Sequence, residues 1–294
     1  MKILITGSNG LLGQKIIKQL IKNKKLFLAT SLGENRNPAC PNEKYESLDI
    51  SDESEVDLLL QHFRPDAIIH TAAMTNVDDC ELNPTACHLI NVIATEYLFN
   101  AAINIGAHFT LLSTDFVFDG LKGNYSESDA TNPLSVYAES KVDAEMMLQS
   151  SKYRNWSIVR TIIVFGEGIN LSRFNIVLWA KGALASGKEL QIIDDQFRAP
   201  TWADDLAWAC IRISELNQTG IYHISGPETF SIYDLVLRVA KFFDLETKSL
   251  SKTDSASLNQ AAKRPPKTGF DLSKAKKEID YNPMSFEESL KLLS

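Results

Sequence analysis

The sequence predicts an α/β fold in which a doubly wound parallel sheet is joined to a smaller C-terminal α/β lobe. Between residues 2 and 165, short apolar runs typical of buried strands alternate with stretches of helical periodicity. A glycine-rich turn separates the first strand from the first helix. The chain of 294 residues is long enough for one large domain with an added lobe.

The first strand, over 2–6, leads into glycines at 7, 10 and 13, and a helical pattern begins at Leu11. A strand that passes through glycines into a helix leaves unpaired N–H groups at the positive end of the helix dipole. Such a turn holds the pyrophosphate of dinucleotides, although the spacing G-x-x-G-x-x-G also permits a purely structural turn. We expect a dinucleotide to contact Gly7, Asn9, Gly10, Leu11, Leu12 and Gly13.

A second strand over 26–29 completes a β-α-β unit, and the residues after it indicate which dinucleotide is bound. An acid at this strand end binds the ribose 2′-hydroxyl of NAD, whereas a basic residue accommodates the 2′-phosphate of NADP. Here the strand leads to Ser31 and then to Arg36. The sequence therefore favours NADP(H), while Glu34 keeps NAD(H) open and a solvated Arg36 is the alternative.

The remaining elements follow in regular order as far as residue 165. They are a helix over 53–62, a strand over 67–73, a helix over 84–105, a strand over 109–113, a helix over 136–149 and a strand over 156–164. Beyond them we predict a helix over 203–216, a strand over 221–224, a helix over 231–243, a polar loop over 248–266, and short helices over 273–279 and 286–293. We assign the dinucleotide-binding domain to 1–165 plus about 203–225, and the substrate-binding lobe to about 166–202 plus 226–294.

Further cofactor contacts are expected where strands meet the ligand edge of the sheet. Asp49 and Ile50 are positioned to reach an adenine, although an ordinary turn aspartate is the alternative. The strand over 67–73 runs into small residues, which suit a cofactor lying close above them. From these we expect contacts from Ala72, Ala73 and Thr75. Asn91, inside an apolar helix, is either a structural hydrogen-bonder or part of a proton relay and cofactor site.

Tyr137 and Lys141 lie four residues apart in one helix, so both side chains share a face. A phenol of ordinary pKa, ~10, becomes a usable acid or base when a nearby ammonium favours the phenolate. Lys141 can also hydrogen-bond the ribose of a nicotinamide cofactor, whereas an exposed helical pair is the alternative. Because Thr114 ends the preceding strand, all three groups and the glycine turn converge on one crevice. This set predicts a carbonyl reductase.

The motifs TGSNGLLG at 6–13, HTAA at 70–73, STD at 113–115 and YAESK at 137–141 resemble those of the extended short-chain dehydrogenase/reductases. Stretches such as STDFVFDG, DDQFRAPT and RPPKTGFDLSK are similar to the dTDP-4-dehydrorhamnose reductase branch. This resemblance implies a Rossmann-type sheet and reduction of a nucleotide-linked 4-keto-6-deoxy sugar by NAD(P)H. It implies a catalytic set of Thr114, Tyr137 and Lys141. The substrate contacts that it implies are Asp115, Phe116, Val117, Phe118, Arg198 and Arg264, the two arginines as forks for the diphosphate.

Composition and motifs also indicate which classes of partner to exclude. A net charge of −7 argues against a nucleic-acid partner, and four scattered cysteines indicate neither a disulfide framework nor a zinc site. We find no apolar run of membrane-spanning length, so we expect no membrane partner and a cytoplasmic location. Some family members carry a metal-binding glutamate after the third glycine, where this chain has Gln14. We therefore expect no metal, and a homodimer without a metal bridge stays open.

Two other functions are compatible with this pattern. An epimerase or dehydratase of the same group would recycle a tightly held NAD, but dehydratases commonly carry paired acids after the Ser/Thr, and here only Asp115 follows Thr114. A non-catalytic relative would bind a dinucleotide and regulate a partner enzyme. The complete set of Thr114, Tyr137 and Lys141 argues against that function, because a scaffold need not retain all three.

Overall fold

The structure is a computed structural model that describes residues 1–172 and 175–293. Its strands are β1 (Lys2–Thr6), β2 (Leu26–Ser31), β3 (Tyr45–Ser47), β4 (Ala67–His70), β5 (His108–Thr114), β6 (Trp156–Thr161), β7 (Val164–Phe165), β8 (Leu190–Ile193), β9 (Phe197–Arg198), β10 (Thr201–Trp202), β11 (Gly220–Ile224), β12 (Phe230–Ser231) and β13 (Leu250–Thr253). Its helices are α1 (Leu11–Lys22), α2 (Glu53–Phe63), α3 (Val77–Leu82), α4 (Pro84–His88), α5 (Ala94–Ile105), α6 (Val136–Ser150), α7 (Ile176–Ala185), α8 (Ala203–Glu215), α9 (Ile232–Phe242), α10 (Ser273–Ile279) and α11 (Phe286–Leu290).

Seven parallel strands form the central sheet in the order β11-β6-β5-β4-β1-β2-β3. The chain builds outward from β1 to β3, returns to the other side of β1 at β4, and continues to the far edge. The strand order therefore reverses between β1 and β4, which is where doubly wound sheets bind ligands at their carboxyl ends. The predicted Rossmann-type α/β fold is confirmed.

The three apolar side chains of β1 alternate between two apolar layers. Ile3 and Ile5 are fully buried with side chains of α1 and α8, and Leu4 is fully buried on the opposite face with side chains of α2 and α5. This alternation follows from the period of two in a strand. A sheet covered on both faces is what the continuous apolar strands predict.

A third apolar cluster lies outside the central sheet. It includes Phe165, Trp202 and Phe286, whose rings pack against one another, together with side chains of α7 and α9. Three two-stranded pairings, β10-β7, β12-β9 and β13-β8, belong to this part of the chain. The third cluster therefore gives residues outside the central sheet a core of their own.

Several predicted elements differ from the structure. The predicted strand over 67–73 ends at His70, and beyond it the Ala72 backbone N–H donates to the Thr6 side-chain hydroxyl, not to a strand carbonyl. The single strand predicted over 156–164 is wrong, since Ile163 has a positive φ of 31° that separates β6 from β7. The predicted polar loop over 248–266 contains β13, whose partner β8 is distant in sequence.

The helix predicted over 84–105 is present but contains a π turn, Leu89–Ile93, between α4 and α5. Contrary to the expectation from the sequence, the run Pro84–Ile105 is long and apolar enough by composition to cross a membrane. In the structure, α5 packs against α2 and β5, as a core helix does. Core helices of globular domains pass the same test of length and composition.

A buried ion pair joins the sheet to α6. The Arg160 guanidinium donates from Nη2 to Glu145 Oε2 at 2.6 Å and from Nε to Oε1 at 3.0 Å, with both side chains almost fully buried. Ser113 Oγ donates to the same carboxylate at 2.5 Å, and Arg160 Nη1 lies 3.4 Å from His223 Nε2. Strands β5, β6 and β11 are thus tied together by one charge network beneath α6.

Removing one member of this pair should destabilise the fold strongly. We expect Arg160→Met to lower the free energy of unfolding by about 3–5 kcal/mol, because it leaves a buried carboxylate without its partner. Arg212→Met is the control, since Arg212 pairs with a largely exposed Asp280 and such pairs contribute no more than about 1 kcal/mol. Denaturant unfolding of both variants measures the difference, and equal losses would contradict this assignment.

Candidate active site

A cavity of about 780 Å³ lies at the carboxyl edge of the central sheet, over the point where the strand order reverses. Residues from the glycine turn, the ends of β2, β4, β5 and β6, helix α6 and the start of α7 line it. Of the predicted cofactor contacts, those in the lining are Gly7, Asn9, Gly10, Leu11, Leu12, Gly13, Ser31, Arg36, Asp49, Ile50, Ala72, Ala73, Thr75, Tyr137 and Lys141.

The glycine turn brings the start of α1 close to β1. Gly7 has a φ of +72°, and a Cβ there would lie 2.6 Å from the backbone nitrogen of Ala72. A Cβ at Gly13 would lie 2.5 Å from the carbonyl oxygen of Gly7. Gly10 is the N-cap of α1, and no side chain caps the first N–H groups of the helix. The residues of its first turn line the cavity. Backbone N–H groups and the helix dipole therefore make this end of the cavity suitable for an anionic group such as a pyrophosphate.

Asn9 connects the glycine turn to the loop that carries Arg36. Its Nδ2 donates to the Glu34 carbonyl at 2.9 Å, and its Oδ1 accepts from the Arg36 backbone N–H at 2.8 Å. The Asn9 backbone N–H donates to Ser31 Oγ at 3.1 Å. The exposed Arg36 side chain is thus held at the same end of the cavity as Ser31.

Asn91, predicted as a cofactor contact, lies beside the cavity but is not in its lining. Its Oδ1 accepts from Met74 N at 2.8 Å, and its Nδ2 donates to Met74 O at 3.0 Å and to Ser140 Oγ at 3.0 Å. Of the two predicted roles, the structural hydrogen-bonder is the one seen. The π turn directs Asn91 inward, where it fixes the chain after β4 against α6.

Tyr137 and Lys141 both face the cavity from α6, whose N-cap is Ser135. Tyr137 is 9% exposed, and its ring meets the Phe116 ring edge-on at 6.2 Å. Burial lowers the pKa of Lys141 to about 8, against the opposing effect of Glu145 and of Cys87 and Cys80. Lys141 therefore remains mostly protonated at neutral pH and carries a positive charge on the same helix face as the phenol.

Thr114 ends β5 and is 7% exposed. Its hydroxyl donates to Asp115 Oδ1 at 3.2 Å and accepts from the Phe116 backbone N–H at 3.2 Å. The neighbouring Ser113 lines the cavity, but its hydroxyl is bound to Glu145. The Thr114 oxygen is thus held from two sides at the carboxyl edge of the sheet, and unlike Tyr137 and Lys141 this residue is not in the cavity lining.

The predicted substrate contacts after Thr114 are mostly part of the protein interior. The Val117 and Phe118 side chains are fully buried in the core, and the Phe118 ring stacks on Tyr125 at 4.0 Å. Asp115 is 2% exposed and accepts a hydrogen bond from the Thr268 hydroxyl. Their side chains therefore shape the turn after β5, and only Phe116 remains partly exposed.

Both predicted diphosphate-binding arginines are bound to the protein itself. Arg198 is 2% exposed, and its Nη2 donates to the Pro265 carbonyl at 2.6 Å. Arg264 makes a two-point ion pair with Asp78, from Nη2 to Oδ2 at 2.7 Å and from Nη1 to Oδ1 at 3.2 Å. The prediction that these guanidinium groups face a diphosphate is therefore not what the structure shows, because in both cases protein oxygens accept their hydrogen bonds.

One further wall of the cavity is formed by residues that the sequence patterns did not predict. This wall includes Ile163, Val164, Leu171, Ser172, Asn175 and Ile176. The Leu178 backbone N–H donates to Asn175 Oδ1 and so caps α7, and an asparagine before an apolar run is a recognisable N-cap signal. Gln14 joins this wall to α1, since it donates to the Ile169 carbonyl at 2.7 Å and accepts from the Ile169 N–H at 2.9 Å.

Comparison with known proteins agrees with the motifs. The sequence profile of the family described as RmlD substrate binding domain matches residues 1–294. A dTDP-4-dehydrorhamnose reductase of Aggregatibacter actinomycetemcomitans is 32% identical over 308 aligned residues, covering 99% of this chain and 97% of its own length. Methionine adenosyltransferase 2 subunit beta of Xenopus laevis is 31% identical over 282 residues, covering 94% of this chain and 82% of its own length.

Solved structures agree with the fold over the whole chain. A dTDP-4-dehydrorhamnose reductase from Clostridium acetobutylicum superposes with a TM-score of 0.88 at 28% identity, covering 99% of this chain and 98% of its own. The same enzyme from Bacillus anthracis, solved in complex with NADP, gives 0.81 at 25% identity over 99% and 98%. The resemblance seen in the motifs is thereby confirmed. The chain belongs to the RmlD substrate binding domain family.

Proposed function

We propose that this protein reduces the C4 carbonyl of a nucleotide-linked 4-keto-6-deoxy sugar, as the name of its dTDP-4-dehydrorhamnose reductase relatives indicates for them. The observation that carries this proposal is that Tyr137 and Lys141 face the same cavity as the glycine turn. Carbonyl reduction requires a proton donor and a dinucleotide-binding site in the same cleft.

We propose NADP(H) as the favoured cofactor and NAD(H) as an acceptable one. The relative from Bacillus anthracis was solved with NADP, and here Ser31 and Arg36 line the cavity where β2 ends. Such groups suit a 2′-phosphate better than a hydroxyl. Gly7, Gly10 and Gly13 would hold the pyrophosphate, and Asp49 and Ile50 the adenine end. When bound, the reduced cofactor supplies the hydride.

The protein side chains would supply the proton and hold the carbonyl. Tyr137 would donate its phenolic proton to the carbonyl oxygen, and hydride from a bound reduced cofactor would complete the conversion of the ketone to an alcohol. The Lys141 ammonium favours the phenolate that remains, which makes Tyr137 a stronger acid. Thr114 positions the carbonyl oxygen, and to donate a hydrogen bond to it the hydroxyl must release Asp115 Oδ1, a partner at 3.2 Å.

We further propose that the dinucleotide domain comprises 1–165 plus about 203–225, and that the nucleotide sugar binds to the lobe formed by about 166–202 plus 226–294. The separate apolar cluster around Phe165 and Trp202 supports this division. So do Leu171, Ser172, Asn175 and Ile176, because these lobe residues line the same cavity as the glycine turn.

The function is tested by NADPH oxidation, followed by absorbance, across a panel of nucleotide-linked 4-keto sugars that includes dTDP-4-dehydrorhamnose. We expect turnover that requires added NADPH. A non-catalytic, regulatory role is the second candidate, because the relative from Xenopus laevis is a subunit of another enzyme. Binding of NADPH without oxidation against any sugar of the panel would favour that second role.

Loss of the phenol should abolish proton transfer without weakening cofactor binding. We expect Tyr137→Phe to lower kcat by about two to four orders of magnitude, the usual contribution of a general acid, and to leave the Kd of NADPH within about twofold. Tyr153→Phe is the matched control, since that hydroxyl is bound to the Ala107 carbonyl on another part of the sheet. Unchanged turnover in Tyr137→Phe would remove the phenol from the mechanism.

The lowered pKa of Lys141 predicts that kcat/KM depends on pH. Lys141 is charged below its pKa of about 8 and neutral above it, so kcat/KM should fall as pH rises through about 8. In Lys141→Met the activity should be lower at every pH, and the decrease in kcat/KM near pH 8 should be absent. If the variant still showed that decrease at the same pH, the titrating group would not be Lys141.

Cofactor selectivity should depend on Arg36. A charge-assisted hydrogen bond contributes about 1.5–3 kcal/mol, so Arg36→Ala should raise the KM of NADPH by about tenfold or more. The KM of NADH, which lacks the 2′-phosphate, should change little. Lys22→Ala, which removes an exposed charge at the far end of α1, serves as the control. Equal effects on both cofactors would contradict a 2′-phosphate contact.

A further inference from the structure

Arg198 is a buried guanidinium that holds two distant segments of the lobe together. Its Nη1 donates to the Phe197 carbonyl at 2.8 Å and to the Pro266 carbonyl at 3.3 Å, and its Nη2 donates to the Pro265 carbonyl at 2.6 Å. Strand β9, which carries Arg198, also bridges to Lys267. One planar group thus fixes the segment 265–267 against β9, which a point charge of lysine type cannot do in the same geometry.

The same guanidinium contacts two consecutive residues of the turn after β5. Its Nε lies 3.7 Å from Asp115 Oδ2, with both side chains almost fully buried. Its plane lies over the Phe116 ring, with 5.4 Å from the guanidinium carbon to the ring centroid. Arg198 therefore neutralises a buried carboxylate and packs on an aromatic ring at once.

Each of these two residues contacts one member of the proposed catalytic set. Asp115 Oδ1 accepts from the Thr114 hydroxyl at 3.2 Å, while Oδ2 accepts from the Thr268 hydroxyl. The Phe116 ring meets the Tyr137 ring at 6.2 Å. Two short paths thus lead from Arg198, one through a carboxylate to Thr114 and one through a ring to Tyr137.

We propose that Arg198 is a positioning residue which couples the lobe segment 265–268 to Thr114 and Tyr137, and that it is not a ligand of the substrate diphosphate. This inference rests on the proposed reductase function. If Arg198 has this role, the positions of the Thr114 and Tyr137 side chains depend on how the lobe packs. Small displacements of such groups are costly, since a misplacement of about 1 Å can reduce the rate about 100-fold.

The alternative, a diphosphate ligand, conflicts with the contacts of Arg198. The side chain is 2% exposed, and backbone carbonyls accept hydrogen bonds from both terminal nitrogens. To reach a diphosphate the guanidinium would have to leave those carbonyls and Asp115. That movement would leave a buried carboxylate uncompensated, which is strongly unfavourable.

The test compares Arg198→Met and Arg198→Lys with Arg238→Met. Arg238 is a matched control in the same lobe, because its guanidinium also lies over a phenylalanine ring, Phe230, and pairs with Glu228 and Glu287. We would measure kcat and KM with NADPH and dTDP-4-dehydrorhamnose, the Kd of thymidine diphosphate by calorimetry, and thermal unfolding of each variant.

We expect Arg198→Met to lower kcat about 100-fold while the Kd of thymidine diphosphate stays within about twofold. Arg198→Lys should recover part of kcat, because it retains a charge near Asp115, and Arg238→Met should match the wild type. A tenfold weaker Kd with retained kcat would overturn the inference in favour of a diphosphate ligand. Loss of thermal stability with unchanged kcat and Kd in the folded fraction would overturn it in favour of a merely structural arginine.

The wild-type assay separates this inference from the proposed function. If the wild type oxidises NADPH with none of the 4-keto sugars, the proposed function fails, and with it the reaction that Arg198 would serve. If the wild type turns over and Arg198→Met turns over equally well, only the positioning role fails.

Discussion

The close approach of α1 to β1 is the constraint on which the site depends. At Gly13 the helix lies so near the glycine turn that a single added methyl group would stand 2.5 Å from the Gly7 carbonyl. This contact directs the first turn of α1 into the cleft and places Asn9 where it binds the loop after β2. A bulkier residue at position 13 would displace both the N-terminal turn of α1, where we expect the pyrophosphate, and the loop after β2.

Beneath the cleft, β1, β4 and α5 are joined by buried polar groups that carry no charge of their own. His70 bridges Thr6 at 2.7 Å and Thr95 at 3.1 Å. Burial, assisted by the charge of Lys141, lowers the pKa of His70 to about 3, so the imidazole is neutral at physiological pH. It ties β1, β4 and α5 together without adding a second positive charge near Lys141. Of His70, Thr6, Thr95 and Lys141, only Lys141 therefore carries a positive charge.

Local patterns predicted the parts of the site that local chemistry determines. The spacing of Tyr137 and Lys141 fixes one helix face, and the order of strands places that face at the ligand edge. Local patterns could not place Arg198, because a guanidinium matches backbone carbonyls as well as a diphosphate and only tertiary packing decides between them. The wall formed by Leu171 and Ile176 was missed for a similar reason, since α7 lies opposite the glycine turn only after the lobe has folded.

The two hydrogen bonds between Gln14 and Ile169 join α1, the helix that begins at the glycine turn, to the segment that precedes α7. Both bonds are made by one amide group, whose oxygen accepts and whose nitrogen donates. The spacing between α1 and that segment therefore depends on a single neutral side chain.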